Sequence, residues 1–269
     1  MKTSHQSLRT NHYSLTLGWL YPELMSTYGD RGNIIVLQKR AEWRGINIIV
    51  ERINQTINHQ SLAAADILFM GGAQDIQQEI VQKDLNGKKG KIIKDLVEGN
   101  TPGLFICGAY QFLGNYYKDA YGTEIKGLGV FNMFTESRPD ENRLIGNIII
   151  KPKSDLLSTS YQLQATSYLT GFENHGGRTY LTDKTQAFAK VIKGYGNNGE
   201  DMTEGIHFKS TIGTYLHGPI LPSNPQLADY FIESALVKKY GEELKLEKLD
   251  DTLSEKAKMN TLRKLKAGF

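Results

Sequence analysis

Apolar residues along the first half of the chain follow two alternating patterns. Short apolar runs, bounded by glycine, proline or polar residues, have the length of β-strands and lie at 14–20, 46–50, 66–70 and 104–107. Between them, the segment 30–44 carries apolar residues at helical spacing and ends at Gly45, and 92–98 has a similar helical pattern. Strands that alternate with helices predict an α/β domain whose parallel sheet has helices on both faces.

The second half of the chain has strand-like runs separated by turns rich in Gly, Asn and Asp. These runs lie at 132–138, 143–150, 169–174 and 211–216. The sequence of 194–199 predicts a loop at the tip of a hairpin. From 224 to 239 the pattern is helical, with Pro225 at the first helical position. We expect one domain over 12–240 and a charged helical extension over 241–269, which is more typical of a solvated surface helix than of a partner-docking arm.

The composition is that of a soluble globular protein. Of 269 residues, 39% are hydrophobic and 23% are charged, and the net charge of +3 is too small to indicate nucleic-acid binding. No apolar run approaches the ~20 residues that span a bilayer. The first twelve residues lack the apolar core of a secretory signal, so we expect a cytoplasmic protein. A single cysteine excludes an intramolecular disulfide and a zinc site with several cysteine ligands.

That cysteine lies where a nucleophile would be exposed. Cys107 ends the apolar run that begins at Gly103, and a helical pattern follows directly after Gly108. Such a strand–turn–helix bend presents one side chain at the carboxyl edge of a sheet. It also directs the amino terminus of the helix at that side chain, which favours a thiolate. The alternative is a cysteine that serves as a small buried apolar residue.

Three further features are predicted to reach the same edge of the sheet. Gly71 and Gly72 follow a strand and allow backbone amides to face a ligand closely, although such a pair also makes a plain tight turn. His217 precedes a Gly-Pro turn and is either the base that a thiol nucleophile needs or a structural residue. Asp30 follows the first strand and either faces this edge or caps the next helix. Ligands of open parallel sheets bind beyond the carboxyl ends of the strands, so this convergence favours a catalytic site.

Five separated motifs between about residues 17 and 218 resemble the class I, triad-type glutamine amidotransferases. They are Tyr28-Gly-Asp-Arg-Gly-Asn33, Gly71-Gly72, Cys107-Gly-Ala-Tyr-Gln-Phe-Leu-Gly114, Gly171-Phe-Glu-Asn-His-Gly-Gly-Arg-Thr179 and Tyr215-Leu-His-Gly218. The 171–179 motif is similar to the signature of the cobyric acid synthase-like branch. The resemblance implies a flavodoxin-like, three-layer domain with a central, mostly parallel sheet. It also implies hydrolysis of glutamine to glutamate and ammonia, with no metal or organic cofactor.

The resemblance further implies a role for each site residue. Cys107 would be the nucleophile that forms a thioester, and His217 would be its acid–base partner. Substrate contacts are implied for the side chains of Gln111 and Arg143, and oxyanion contacts for the amides of Gly72 and Gly108.

The sequence departs from the family pattern in two respects, after the histidine and around the cysteine. Many members carry a glutamate two residues after the histidine, where this chain has Pro219. The resemblance therefore implies that Asp30 orients the imidazole instead. Phe105 and Ala109 replace glycines around the cysteine. Ala109 is small enough for a tight bend, whereas Phe105 fits only if its side chain faces away from the bend.

A partner chain is expected because the sequence contains no Gly-x-x-x-x-Gly-Lys-Ser/Thr phosphate loop for the ATP that amide synthesis requires. The resemblance implies a heterodimer with a MurT-like, ATP-dependent Mur ligase subunit. That subunit would use the ammonia to amidate the D-glutamate of the lipid II stem peptide in peptidoglycan synthesis. The alternatives are a glutaminase subunit for another synthetase, such as a corrinoid-type one, a cysteine hydrolase of the same fold acting on peptides or aldehydes, and a non-catalytic scaffold that docks a ligase.

Overall fold

A computed structural model describes most of the chain. The described residues are 13–26, 29–56, 59–73, 75–138, 140–153, 168–241 and 244–265. Tyr28, which begins one of the predicted motifs, lies outside them, as do the outermost residues of the predicted domain and extension.

Within these residues the chain forms fourteen strands of two to nine residues. They are β1 (Ser14–Leu20), β2 (Asn47–Ile53), β3 (Ile67–Met70), β4 (Gly103–Ile106), β5 (Tyr116–Lys118), β6 (Glu124–Lys126), β7 (Met133–Ser137), β8 (Leu144–Pro152), β9 (Leu169–His175), β10 (Gly177–Leu181), β11 (Ala189–Lys193), β12 (Thr203–Glu204), β13 (Ile206–Phe208) and β14 (Thr211–Thr214).

The central sheet has the strand order β13-β14-β4-β3-β1-β2, and its neighbours are parallel except for β13 with β14. Strands β3 and β4 are buried along their whole length, as expected for a parallel sheet covered on both faces. The carboxyl ends of β14, β4, β3 and β1 lie side by side. The structure therefore brings the four sequence features that follow these strands to one edge.

Two smaller sheets are formed by strands that lie between residues 116 and 204. Their orders are β10-β7-β5-β6 and β12-β11-β8-β9. In the second of these, β8 and β9 pair in antiparallel register from Leu144 with His175 to Ile150 with Leu169. These sheets position the 171–179 motif, which spans the end of β9 and the start of β10.

The described residues form eight α-helices. They are α1 (Arg31–Glu42), α2 (His59–Ala63), α3 (Asp75–Leu85), α4 (Lys88–Glu98), α5 (Gly108–Phe112), α6 (Ile220–Ser223), α7 (Pro225–Tyr240) and α8 (Thr252–Lys264). Helix α1 contacts α6 and α7, whereas α4 contacts α2 and α3. Apolar side chains of the central strands, such as Leu17, Phe69 and Phe105, are completely buried in one core cluster.

A buried group of charges holds the segment after α7 to the domain. Arg40 and Arg44 of α1 both donate to the carboxylate of Asp229 on α7, at 2.6 to 3.0 Å. Arg40 also donates to Asp251 at 2.7 Å, and Arg44 to the carbonyl oxygen of Glu247 at 2.6 Å. Buried charges are stable only when they are paired, so this cluster fixes the residues before α8 against α1 and α7.

Helix α8 is a surface helix with one packed face. Lys258 and Leu262 are buried, whereas Lys256, Arg263 and Lys264 are exposed. The helix contacts α6, which follows the predicted catalytic histidine in the chain, and β9, which pairs with that histidine through a bridge at Phe172.

The main elements agree with the sequence predictions. The parallel sheet, the helix after β1, Pro225 at the start of α7 and the helical extension are confirmed. Three helices and six strands were not predicted from the sequence, which are α2, α3, α6, β5, β6, β10, β11, β12 and β13. In the part of the chain that the structure describes, no helix is long and apolar enough to cross a membrane.

Candidate active site

Cys107 occupies a strained turn between β4 and α5. Its backbone has φ 54° and ψ −111°, and its N–H donates to the carbonyl oxygen of Thr214 at 2.8 Å. A non-glycine residue with positive φ at a strand-to-helix turn is typical of a nucleophile elbow. The cysteine is 8% exposed. The predicted bend is confirmed, and Phe105, which replaces a family glycine, lies in the hydrophobic core.

Asp30 directly precedes α1, but its side chain makes no hydrogen bond to that helix. Instead, Oδ2 accepts a hydrogen bond from the N–H of Gly72 at 2.7 Å, and Oδ1 lies 3.6 Å from Nδ1 of His217. The carboxylate is completely buried. The side chain of Asp30 therefore does not cap α1 and faces the histidine.

His217 follows β14, and its backbone is held by β9. Its N–H donates to the carbonyl oxygen of Phe172 at 2.7 Å, and its carbonyl accepts from the N–H of Phe172 at 3.2 Å. Phe172 belongs to the 171–179 motif. These two hydrogen bonds join the 171–179 motif directly to the histidine, although the two segments belong to different sheets of the fold.

Three side chains converge around Gly72. A Cβ placed on this glycine would lie 2.8 Å from Cε1 of His217, 3.2 Å from Cβ of Cys107 and 3.7 Å from Oδ2 of Asp30. A real Cβ does not approach another carbon as closely as 2.8 Å, so the backbone here must lack a side chain. The predicted nucleophile, base and carboxylate thus surround one point at the edge of the sheet.

The electrostatics of this group favour a protonated imidazole. Burial acts to lower the pKa of His217, but its interactions with Asp30 and Cys107 outweigh burial and raise the pKa to about 10. With its pKa raised in this way, the imidazole of His217 carries a proton at neutral pH.

Gln111 lies one helical turn after Cys107 and bonds to Tyr215. Its Nε2 donates to the Tyr215 hydroxyl at 3.1 Å, and that hydroxyl lies 2.7 Å from Oγ1 of Thr179. The structure places Gln111 beside the elbow, where glutamine is predicted to bind. Its role in binding glutamine stays a prediction, since its amide group already has a partner within the protein.

His175 of the 171–179 motif is a neutral, buried imidazole behind the site. Its ring stacks on Tyr215 with centroids 3.6 Å apart, and Nδ1 lies 2.8 Å from the carbonyl oxygen of Gly177. A carbonyl can only accept, so Nδ1 carries the proton. Burial lowers the pKa of His175 to about 3. At neutral pH, His175 is therefore neutral and His217 is charged.

Arg143 is exposed and is held by the same motif. Its Nε and Nη2 donate to the side-chain and backbone oxygens of Asn174, each at 3.1 Å. A Cβ on Gly176 would lie 3.3 Å from Nη1. The β9–β10 turn thus fixes a guanidinium whose geometry suits a carboxylate, although a role for Arg143 in substrate binding stays a prediction.

The two amides predicted to bind an oxyanion differ in their surroundings. Gly108 is the first residue of α5, where backbone N–H groups have no intrahelical acceptor. The N–H of Gly72 already donates to Asp30. The N–H of Gly72 can therefore bind an oxyanion only if it releases the carboxylate of Asp30 or is shared between the two acceptors. Its role stays a prediction.

Sequence reasoning missed Gln78, which lies on the unpredicted helix α3. It is 5% exposed and packs against Gly108. Its helix is mostly polar, so no apolar pattern indicated that one face is buried. His175 and Tyr215 were part of recognised motifs, and their mutual stacking gave no signal in the sequence.

The chain belongs to the CobB/CobQ-like glutamine amidotransferase domain family, which matches residues 16–225. It is similar to "lipid II isoglutaminyl synthase (glutamine-hydrolyzing) subunit GatD" of Staphylococcus aureus, with 44% identity over 84% of this chain and 86% of that protein. The subunit of the same name from Streptococcus pneumoniae is 40% identical over 90% of this chain and 88% of its own length. The fold is also that of the glutaminase domain of Trypanosoma brucei CTPS, with a TM-score of 0.53 and 10% identity over 87% of this chain and 98% of that one.

Proposed function

We propose that this chain is a glutaminase subunit, which hydrolyses L-glutamine to L-glutamate and ammonia through a thioester on Cys107. The observation that carries the proposal is the convergence of Cys107, His217 and Asp30 around Gly72. Membership of the amidotransferase family supports the same chemistry.

The proposed reaction begins with attack by the cysteine sulfur. The Cys107 thiolate attacks the side-chain carbonyl carbon of glutamine, and the carbonyl oxygen takes up the electron pair. The amides of Gly72 and Gly108 are proposed to bind this oxyanion, and one such donor typically contributes about 3–4 kcal/mol to transition-state stabilisation. The imidazolium of His217 then gives its proton to the nitrogen, the C–N bond breaks and ammonia leaves.

The second half of the reaction uses the same residues in the opposite direction. Neutral His217 takes a proton from water, the resulting hydroxide attacks the thioester, and glutamate leaves as the thiolate is restored. Asp30 is proposed to orient the imidazole and to stabilise its charge, as the buried aspartate of serine proteases does. Arg143 and Gln111 are proposed to hold the amino-acid end of glutamine.

The ammonia is proposed to pass to a MurT-like, ATP-dependent Mur ligase in the cytoplasm, which would amidate the D-glutamate of the lipid II stem peptide. The names of the two GatD relatives support this acceptor, because both are subunits of lipid II isoglutaminyl synthase. The 44% and 40% identities to the two GatD subunits extend over most of this chain and most of each relative, which favours this acceptor over a corrinoid-type synthetase.

The glutaminase proposal is tested by replacing the nucleophile. We expect Cys107→Ala to abolish glutamate release from glutamine and to leave the urea unfolding midpoint at or above that of the wild type. A diazo-ketone analogue of glutamine should label Cys107 in the wild type, and excess glutamine should protect it. Labelling without protection would indicate a general cysteine hydrolase, and an unlabelled chain would indicate a scaffold.

The acceptor is tested separately with both subunits. We expect the chain to co-purify with a co-expressed MurT-like ligase, and the complex to amidate lipid II only with ATP and glutamine. Ammonia should replace glutamine when the complex carries Cys107→Ala. A complex that amidates lipid II from glutamine with this variant would contradict the proposal.

A further inference from the structure

Gln78 of α3 is a buried polar side chain that the proposed reaction does not use. It is 5% exposed, and its Nε2 donates to the carbonyl oxygen of Ala73 at 3.0 Å. A carbonyl can only accept, so this bond fixes which end of the carboxamide is the nitrogen. Ala73 directly follows Gly72, so Gln78 holds the end of the glycine loop after β3.

The same carboxamide also packs on the nucleophile elbow. A Cβ placed on Gly108 would lie 2.6 Å from Nε2, 2.7 Å from Cδ and 3.2 Å from Cγ of Gln78. Gln78 fills the space in which a side chain at position 108 would lie. One residue of α3 therefore touches both segments whose amides are predicted to bind the oxyanion, which are 71–73 and 107–108.

The other end of the carboxamide shows that folding alone does not favour glutamine here. Oε1 of Gln78 is buried and has no hydrogen-bond partner among the described residues. A buried amide oxygen without a partner lowers stability, whereas an apolar side chain of similar length would avoid that loss. A reason other than stability is needed for the carboxamide at this position.

We infer that Gln78 is a positioning residue that sets the spacing between the glycine loop after β3 and the nucleophile elbow. This inference rests on the proposed glutaminase activity. Nε2 anchors the loop at Ala73, and the packed carboxamide limits how far the elbow can shift toward α3. Misplaced oxyanion donors raise the barrier of the chemical step, while the binding of the amino-acid end of glutamine is affected far less.

Gln78→Met tests this inference because it keeps the length of the side chain and removes the amide. We expect kcat to fall by about tenfold to a hundredfold, with the KM for glutamine nearly unchanged. The urea unfolding midpoint should stay the same or rise, since the unpaired Oε1 is gone. Alkylation of Cys107 by iodoacetamide requires the thiolate but no oxyanion donor, so its rate should equal that of the wild type.

Gln82→Met is the matched control. Gln82 lies one turn later on α3 and donates to the carbonyl oxygen of Lys126, so its variant should have wild-type kinetics. A wild-type kcat for Gln78→Met would overturn the inference. If the urea unfolding midpoint of that variant were also lowered, Gln78 would have a purely structural role. A parallel loss of alkylation would also overturn it, because the thiolate itself would be disturbed. A wild-type chain that releases no glutamate would contradict the proposed function instead.

Discussion

At the scale of single residues, Gly72 is the position around which the three predicted catalytic side chains meet. A Cβ at this position would lie too close to Cε1 of His217, would crowd Cβ of Cys107 and would touch the carboxylate of Asp30. Gly72 also donates its N–H to the carboxylate of Asp30, so its backbone helps to position one of the three predicted catalytic side chains. Any side chain here must displace the imidazole or the thiol.

We therefore expect Gly72→Ala to lower kcat/KM for glutamine by about a hundredfold, since a displacement of about 1 Å has effects of this size. Circular dichroism should show an unchanged fold. Gly146→Ala on β8 is the control, because an added Cβ there meets nothing within 4 Å. Wild-type kinetics for Gly72→Ala would show that the three side chains do not act together around this point.

The carboxylate of Asp30 helps to set the pH up to which the imidazole of His217 stays protonated. The pKa of His217 is raised to about 10 by Asp30 and Cys107 against the effect of burial. Asp30→Asn keeps an acceptor for the N–H of Gly72 but removes the charge. We expect the alkaline limit of glutaminase activity, where the imidazolium is lost, to move to lower pH. A profile that superimposes on the wild type would show that Asp30 does not act on His217.

The same shift predicts a dependence of stability on pH. Between pH ~6.5, the ordinary pKa of histidine, and about 10, the folded chain holds a proton on His217 that the unfolded chain has released. This contribution to stability is complete below that window and is lost as the pH rises through it. Urea unfolding at several pH values should show a smaller loss across the window for Asp30→Asn than for the wild type.

At the scale of elements, long and regular segments were predictable and short ones were not. Strand β1 and helix α7 were found from apolar runs and from Pro225. Strands of two or three residues, such as β5 and β12, are too short to show a period. Their pairing depends on contacts distant in sequence, which a local pattern does not contain.

The candidate site was predictable as far as it follows from strand ends. The carboxyl edge of the sheet brings Asp30, Cys107 and His217 together, and the sequence indicated each of these strands. The bond from Gly72 to Asp30 and the place of Gln78 were not predictable. Both depend on how loops and helix α3 pack after the sheet has formed.

Helices α1 and α7 are joined by the ion cluster around Asp229, which suggests a test of stability. Asp229→Ala leaves Arg40 and Arg44 buried with fewer partners, and removing one member of a buried ion pair typically costs about 3–5 kcal/mol. We expect a loss of this size in the free energy of unfolding, measured with urea.

Glu42→Ala is a control on the same helix. It breaks an exposed pair with Lys39, and such pairs contribute about 0–1 kcal/mol. Equal effects of the two variants would show that the buried cluster does not join α1 to α7.

At the scale of the whole molecule, the carboxyl-terminal segment is part of the fold although it lies beyond the family domain. Residues 244–265 bury Leu246, Lys258 and Leu262, and the carboxylate of Asp251 accepts hydrogen bonds from the buried Arg40. Helix α8 contacts α6 and β9, and β9 carries the bridge from Phe172 to His217. Residues 244–265 thus pack on elements that hold the backbone of His217 or follow it in the chain.

A chain that ends at Gly241 should therefore be less stable than the full chain. We expect a lower urea unfolding midpoint, because Arg40 and Arg44 lose partners and apolar surface is exposed. In the full-length control, Lys256 and Lys264 are both replaced by Gln, which removes charge from the exposed face and should keep the wild-type midpoint. If the truncated chain unfolds like the full one, the tail is not an integral part of the domain.

The positive φ of Cys107 affects how this position could drift over evolutionary time. Glycine adopts such a backbone freely, whereas cysteine carries on the order of 1–3 kcal/mol of conformational strain there. A lineage that no longer needed the released ammonia would gain stability by replacing the whole cysteine side chain with the single hydrogen atom of glycine. Selection for a durable fold and selection for reactivity therefore oppose each other at this residue.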